Sequence, residues 1–337
     1  MMHLSKKFTI SLNNLKKKMI DIAEIHSIRP SKLNDFAGQE DIKTNLKIYL
    51  EGAKSRGDPL DHTLFNGPPG LGKTTLAKIV AYEMETEMKM IIAPAITKVA
   101  DLAAILTSLS KNEVLFIDEI HRLNKSIEEL LYSALEDYKI DILIGEGPSA
   151  KILNINLPKF TLIGATTRIG LISKPLRDRF GIIFNMGFYT IDELKPIIMR
   201  TAKIFDFSCD EDASEEVAMR SRGTPRIAVK LLKRVRDFLS IKKLNFLTKD
   251  EVLKIFVAIS IDKFGLEEED RRYLKFIAVN YGSLPVGIET ISAALSMERD
   301  TIEDYIEPYL ISIGIVQRTS RGRVLTENGL NYAMNLI

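Results

Sequence analysis

The run GPPGLGKTT at residues 67–75 has the residue types and spacing that hold a polyphosphate. It satisfies the pattern Gly, four residues, Gly-Lys-Thr. Gly67, Gly70 and Gly72 let the backbone bend so that its N–H groups face phosphate oxygens. A helix opening directly after the loop adds its positive N-terminus. Lys73 supplies a cation to the β- and γ-phosphates, and the Thr74 hydroxyl, followed by Thr75, can ligate Mg²⁺. A second run, LFIDEIHRL at 115–123, places an acid pair at the end of an apolar strand. In a P-loop protein Asp118 would hold Mg²⁺, partly through water, and Glu119 would act as general base on the attacking water. The bland alternative is an acid pair capping a helix. His121 reads as a hydrogen-bonded structural residue and is left out of the site.

These residues need elements to position them. HTLFN before the loop reads as a short strand and KTTLAKIVAYEM after it as a helix. VLFID (114–118) and FTLIGATT are continuous apolar runs of the kind buried in parallel sheets. Ile127 to Tyr138 reads as helical. KIDILIG and KILNINL read as short strands joined by the turn EGPSA. Strands alternating with helices predict a parallel α/β sheet. From Ile191 to Ile259 the pattern is helical almost throughout, broken at SRGTPR (221–226). The chain from about Ile261 is helical again, then ends in a helix, a turn and a two-stranded hairpin. The expected architecture is an α/β core with a parallel sheet (28–188), an all-α lid (189–260) and a winged-helix module (261–337), after an N-terminal extension (1–27).

The bulk composition is compatible with this and excludes little. The 337 residues carry 47 Lys+Arg against 45 Asp+Glu, so any nucleic-acid surface must be a local concentration of basic side chains. The one cysteine, Cys209, rules out an internal disulfide and a cysteine-based zinc site, and fits a reducing cytoplasmic compartment. No apolar run reaches the length of a membrane span. The basic N-terminal stretch reads as a disordered tail, with Met19 as an alternative start and nucleic-acid binding as a further alternative.

Three further motifs complete a pattern. GATTR (164–168) follows the strand FTLI, KPLRDRFG (174–181) carries Arg177 and Arg179, and RGTPR (222–226) places Arg226 in the first turn of a helix. Together with the P-loop and DEIHRL they resemble the AAA+ ATPases. That resemblance implies Thr167 as sensor 1, Arg179 rather than Arg177 as an arginine finger acting in trans, and Arg226 as the lid sensor of the γ-phosphate. A finger in trans implies a ring of subunits. Outside such a setting the two arginines would be surface salt-bridge partners.

The particular spelling resembles the RuvB family of Holliday-junction branch-migration motors over about residues 28–325. The resemblance implies ATP/ADP and Mg²⁺ as cofactors, Ile28 and Arg29 on the adenine side, and Glu136, Asp137, Tyr138 and Tyr189 lining the nucleotide site. It also implies a hexamer, DNA and junction arms as substrate, and RuvA and RuvC as partners. The exposed hairpin 144–158 would dock RuvA through Leu153 and Ile155, although an ordinary meander hairpin is the alternative. Arg299, Arg318 and Arg323 would contact DNA from the winged-helix module, with Arg321, Thr319 and Ser320 on the same wing. A solvated turn is the alternative there. Asn66 departs from the family's aromatic before GPPG, and VLTENGLNYAMNLI lacks its basic ending. The competing functions are a clamp-loader-like switch and a nucleotide-regulated DNA-binding scaffold.

Overall fold

The chain alternates strand and helix through its first part: α1 (Glu40–Arg56), β1 (Thr63–Asn66), α2 (Lys73–Glu83), β2 (Met88–Ile92), α3 (Val99–Thr107), β3 (Val114–Asp118), α4 (Lys125–Glu136), β4 (Lys139–Ile144), β5 (Lys151–Asn156), β6 (Thr161–Thr166), α5 (Lys174–Arg177) and β7 (Ile182–Asn185). The structure is a computed structural model that describes residues 28–144 and 151–336; the N-terminal extension and the EGPSA turn lie outside them. Five strands form one parallel sheet in the order β2-β3-β6-β1-β7. β6 is buried along its whole length and β3 along all but its last residue, which accounts for their unbroken apolar sequences. The register sets Asn66 level with Thr166 and Asn185, and Asp118 level with Ile92. The polar strand ends therefore share the carboxyl edge of the sheet, where ligands bind in open α/β sheets. β4 and β5 pair antiparallel as a separate hairpin.

The two faces of the sheet are covered differently. On one side α3 and α4 pack Leu102, Leu106, Ile127 and Leu131 against Leu115 and Ile117. On the other, α1 and α2 bury Leu46, Leu76 and Ile79, and this apolar core runs without a break into the following helices. Those helices are α6 (Ile191–Ile204), α7 (Glu211–Arg220), α8 (Pro225–Lys242) and α9 (Lys249–Ala258). Thr190 caps α6 in a capping box with Glu193, and Thr224 precedes Pro225 at the first position of α8. A feature absent from the sequence reading is a two-residue parallel pairing of β8 (Ser208–Cys209) with β9 (Phe246–Leu247).

The last part has its own core, built on Tyr273, Leu274, Ile277, Ile291 and Leu310. Its elements are α10 (Glu268–Asn280), α11 (Ile288–Leu295), α12 (Arg299–Thr301), a π-helical turn (Ile302–Ile306), α13 (Glu307–Ser312), the antiparallel wing β10 (Val316–Thr319) and β11 (Gly322–Leu325), and α14 (Glu327–Met334). The π turn has a cause. Pro308 has no N–H to give the Asp304 carbonyl, and its ring would collide with it in a regular helix. Ion pairs tie this part to the rest: Arg222 to Asp270 at 3.0 Å, Lys230 to Glu267 at 2.6 Å, and Arg168 to Asp304 at 2.7 Å and Asp300 at 2.9 Å. Among the described residues no helix is long and apolar enough to cross a membrane.

Candidate active site

The P-loop joins β1 to α2 at the carboxyl edge of the sheet. Gly67 has φ +149°, and a Cβ there would lie 2.5 Å from the Met186 carbonyl oxygen. At Gly70, φ is +84° and a Cβ would lie 2.8 Å from the Thr224 methyl and 2.9 Å from Arg226 Cβ. Both positions thus require glycine, for conformation and for space. Gly72 starts α2 without a side-chain cap, so the first N–H groups of the helix have no cap and are free to meet an anion. Lys73, buried at the start of α2, donates from Nζ to the carbonyls of Gly67 at 2.7 Å and Pro68 at 2.9 Å. Burial lowers its pKa, against the raising effect of the Glu119 and Asp118 charges. Those opposing effects place both acids within electrostatic reach of the P-loop cation. Thr74 and Thr75 follow in the first turn, half-buried.

The acid pair ends β3, two strands from β1, with β6 between them. Asp118 accepts the Glu119 N–H at 3.0 Å. Glu119 has φ +52°, a left-handed conformation that costs about 1–3 kcal/mol in a non-glycine residue. Its Oε2 accepts from Thr167 Oγ1 at 3.5 Å and lies 3.3 Å from His121 Nδ1. Burial raises the Glu119 pKa, the Asp118 charge raises it further, and Lys73 opposes both. Such a carboxylate is a stronger base than an exposed glutamate. His121 is the residue the sequence reading left out. Its Nδ1 is also 3.0 Å from Thr166 Oγ1, and burial, aided by the Arg168 charge, lowers its pKa. The imidazole is thus held against the Glu119 carboxylate, and its place two residues after Glu119 was the available signal.

Three distant segments meet around the P-loop and the first turns of α2. The Phe36 ring packs on Gly72, where a Cβ would lie 3.0 Å away. Arg200 donates to the carbonyls of Ile28 and Asp35, both at 3.0 Å, and so fixes the segment carrying Ile28 and Arg29. The Arg29 charge reaches Lys78 on α2, whose pKa is lowered by burial and then by that charge. Tyr189, buried, donates its hydroxyl to Leu71 O at 3.0 Å and its N–H to Gly223 O at 2.8 Å. Arg226 completes the set, its N–H donating to Gly70 O at 3.4 Å.

The remaining sequence candidates lie elsewhere. Glu136, Asp137 and Tyr138 do not line this cleft. His62 precedes β1 and bonds Leu135 O at 3.1 Å, with its ring 6.0 Å from that of Tyr138. Since the P-loop follows β1, this stretch sits at the opposite edge of the sheet from it. The stretch expected to line the nucleotide site therefore lies apart from this chain's own P-loop. It lies instead beside Arg179, which bonds Glu136 Oε2 at 2.7 Å, Tyr132 O at 3.2 Å and Pro175 O at 2.9 Å. On the hairpin, Leu153 is 46% exposed and its neighbour Ile152 66%. Ile155, opposite the buried Ile140, is half-buried and packs against the α3–α4 core, so it offers less open surface than Leu153. The inward face is set by two-residue alternation along β5.

Arg299, Arg318 and Arg323 come together around two glutamates. Arg323 donates to Glu307 Oε1 and Glu303 Oε1, each at 2.8 Å. Arg318 Nε donates to Glu307 at 2.7 Å, and Arg299 Nε to Glu303 at 3.1 Å. Arg323 is only 11% exposed, so it reaches an external phosphate only by exchanging these partners. Arg321, exposed at the tip, was read as part of the wing but not as a contact.

Comparison with known proteins agrees with this architecture. Residues 28–186 match the family described as the Holliday junction DNA helicase RuvB P-loop domain, 189–262 the RuvB AAA lid domain, and 263–334 the RuvB C-terminal winged helix domain. The chain is 58% identical over 305 residues to the Holliday junction branch migration complex subunit RuvB of Orientia tsutsugamushi (strain Ikeda), covering 90% of this chain and 94% of that one. It is 58% identical over 299 residues to the subunit of the same name in Rickettsia africae (strain ESF-5), covering 89% and 87%. A solved structure of the Thermotoga maritima RuvB Holliday junction branch migration motor superposes with a TM-score of 0.84 at 49% identity, covering 91% of this chain and 98% of that one. Three matched parts in one order, around a P-loop cleft with its acids in place, make the chain a member of the RuvB family of Holliday junction DNA helicases.

Proposed function

We propose that the chain works as one subunit of a homo-hexameric ring that hydrolyses ATP to drive Holliday-junction branch migration, with DNA arms as track and RuvA and RuvC as partners in recombination and repair. The observation that carries this reading is the division of the chemistry between two edges of one sheet. Lys73, Asp118, Glu119, Thr167 and Arg226 converge at the carboxyl edge, while Arg179 and Glu136 to Tyr138 sit away from it. A complete site then needs a second copy, whose Arg179 neutralises transition-state charge and whose Glu136–Tyr138 stretch borders the same nucleotide.

Within that site the P-loop amides and Lys73 bind the phosphates, and Ile28, Arg29 and Tyr189 border the base. Glu119 takes the proton of the attacking water, with Thr167 and His121 holding its carboxylate in place. Arg226, on the lid, reads the γ-phosphate. The Thr74 hydroxyl and the Asp118 carboxylate are the hard-oxygen set that Mg²⁺ takes when substrate phosphates and waters complete its shell. The metal would supply charge neutralisation between the β- and γ-phosphates. The working domains are 28–188, 189–260 and 261–337, the last meeting DNA through Arg299, Arg318 and Arg323. Leu153 would be the apolar hairpin contact for RuvA, and the cytoplasm the compartment.

The test is the ATPase rate without DNA, with linear duplex and with a four-way junction, each with and without RuvA, together with strand-exchange products. Hydrolysis stimulated by DNA and junction processing that depends on RuvA is the expected result. Hydrolysis indifferent to DNA, with no junction processing, would leave an ATPase of another purpose.

A further inference from the structure

The wing arginines and the catalytic edge are joined by one short chain of charges. Arg168 directly follows Thr167. Its N–H donates to Thr166 Oγ1 at 3.0 Å, and its guanidinium crosses to the π turn and the α12 turn before it, donating to Asp304 at 2.7 Å and Asp300 at 2.9 Å. On the π turn Glu303 lies 3.9 Å from Arg168 Nη2, yet accepts from Arg323 at 2.8 Å and Arg299 at 3.1 Å. One carboxylate therefore stands between the cation of the catalytic turn and the cations of the wing. Burial pushes Glu303 up, and the hydrogen bonds from Arg299 and Arg323 outweigh it.

We infer that Arg168 is a positioning residue that couples occupancy of the wing arginines by a polyanion to the turn that holds Glu119. This rests on the reading that those arginines meet DNA phosphates. Coupling needs two sites and contacts that differ between two states. With the wing free, Glu303 serves Arg299 and Arg323. With phosphates on those arginines, their N–H donors are taken, and Glu303, only 15% exposed, turns to Arg168. Losing both cations would leave a largely buried carboxylate without a partner, which is costly. The π turn supplies the freedom to move, because Pro308 already prevents a regular helix there. The added pull on Arg168 reaches Thr166 through its N–H, and Thr167 and Glu119 through the adjoining peptide.

Because coupling is reciprocal, it is read in binding without turnover. The affinity for a short DNA duplex is measured with and without a non-hydrolysable ATP analogue, and the ratio is the coupling factor. The wild-type chain is expected to show a factor of about fivefold or more. Arg168→Gln and Asp304→Asn are expected to bring it to within about twofold of unity, with each separate affinity kept, and Arg168→Lys to retain part of it. A merely structural role would instead weaken the separate affinities. A wild-type factor surviving in Arg168→Gln overturns the inference, as does a wild-type factor of one. Arg299→Gln and Arg318→Gln act as a separate control. If neither weakens duplex binding, the wing is not the DNA surface and the inference falls with that reading, whatever Arg168→Gln does.

Discussion

Arg226, on the first turn of a lid helix, touches Gly70 at the crown of the P-loop: its N–H donates to the Gly70 carbonyl at 3.4 Å, and a Cβ on Gly70 would lie 2.9 Å from its own. The lid is thus seated on the phosphate loop itself. Gly70→Ala is expected to abolish nucleotide binding, through both the left-handed φ and the lost space. Arg226→Ala, whose side chain is exposed, is expected to fold normally and lose roughly 10²–10³ in kcat with a small change in KM, as for removal of one transition-state donor. A KM effect without a kcat effect would remove Arg226 from the γ-phosphate.

Binding and turnover should separate between Lys73 and Arg179. Lys73→Ala is expected to lose nucleotide binding in a fluorescence titration. Arg179→Ala should bind normally and lose about 10³–10⁵ in rate. Mixing the two inactive variants is expected to restore part of the activity, because a mixed ring contains sites with an intact loop and an intact finger. Absence of any recovery in mixed assemblies that do form would place Arg179 outside the neighbour's site.

The pH profile follows from the direction of the Glu119 shift. The base must be ionised, and burial and the Asp118 charge raise its pKa. The rate should therefore be full well above that raised value and fall as pH drops through it, at higher pH than for an ordinary glutamate. Glu119→Gln should lose turnover with nucleotide binding kept. His121→Ala should reduce kcat by weakening the hold on Glu119, and a kcat profile unchanged in both height and midpoint would remove His121 from that role.

Arg222 and Asp270 form an ion pair with both side chains 2% exposed, and the guanidinium also lies over the Tyr305 and Tyr309 rings. Removing one member leaves an uncompensated buried charge. Asp270→Ala is expected to cost about 3–5 kcal/mol in urea unfolding. Replacing both by leucine should cost much less. If the double variant is as unstable as the single, the pair contributes net stability of its own.

The P-loop and the strand-end placement of Asp118, Glu119 and Thr167 were legible because each is a local pattern on one strand–loop unit, whose geometry its own residues dictate. What escaped the sequence depends on contacts across many residues. The place of Glu136 to Tyr138 was set by His62 and Phe160, not by their own spelling. Ile155 and Leu153 share a face by alternation, but only packing against Ile140 decides how far along the hairpin that face is covered. The glutamates that occupy Arg318 and Arg323 lie on another element, so the wing read as free charge when it is paired. His121 read as a hydrogen-bonded residue, and it is one, but its partner Thr166 shows only once β6 is brought alongside.

The apolar core that passes without interruption from α1 and α2 into the lid helices implies that cooperative unfolding does not divide the molecule where the domains divide. The face of the sheet carrying α2 should exchange its amide hydrogens together with α6 to α8. The face carrying α3 and α4 forms a second group, and the wing, with its separate core, a third. Melting of the lid would then take the phosphate loop with it, and a nucleotide that orders the loop should slow exchange in helices far from any phosphate.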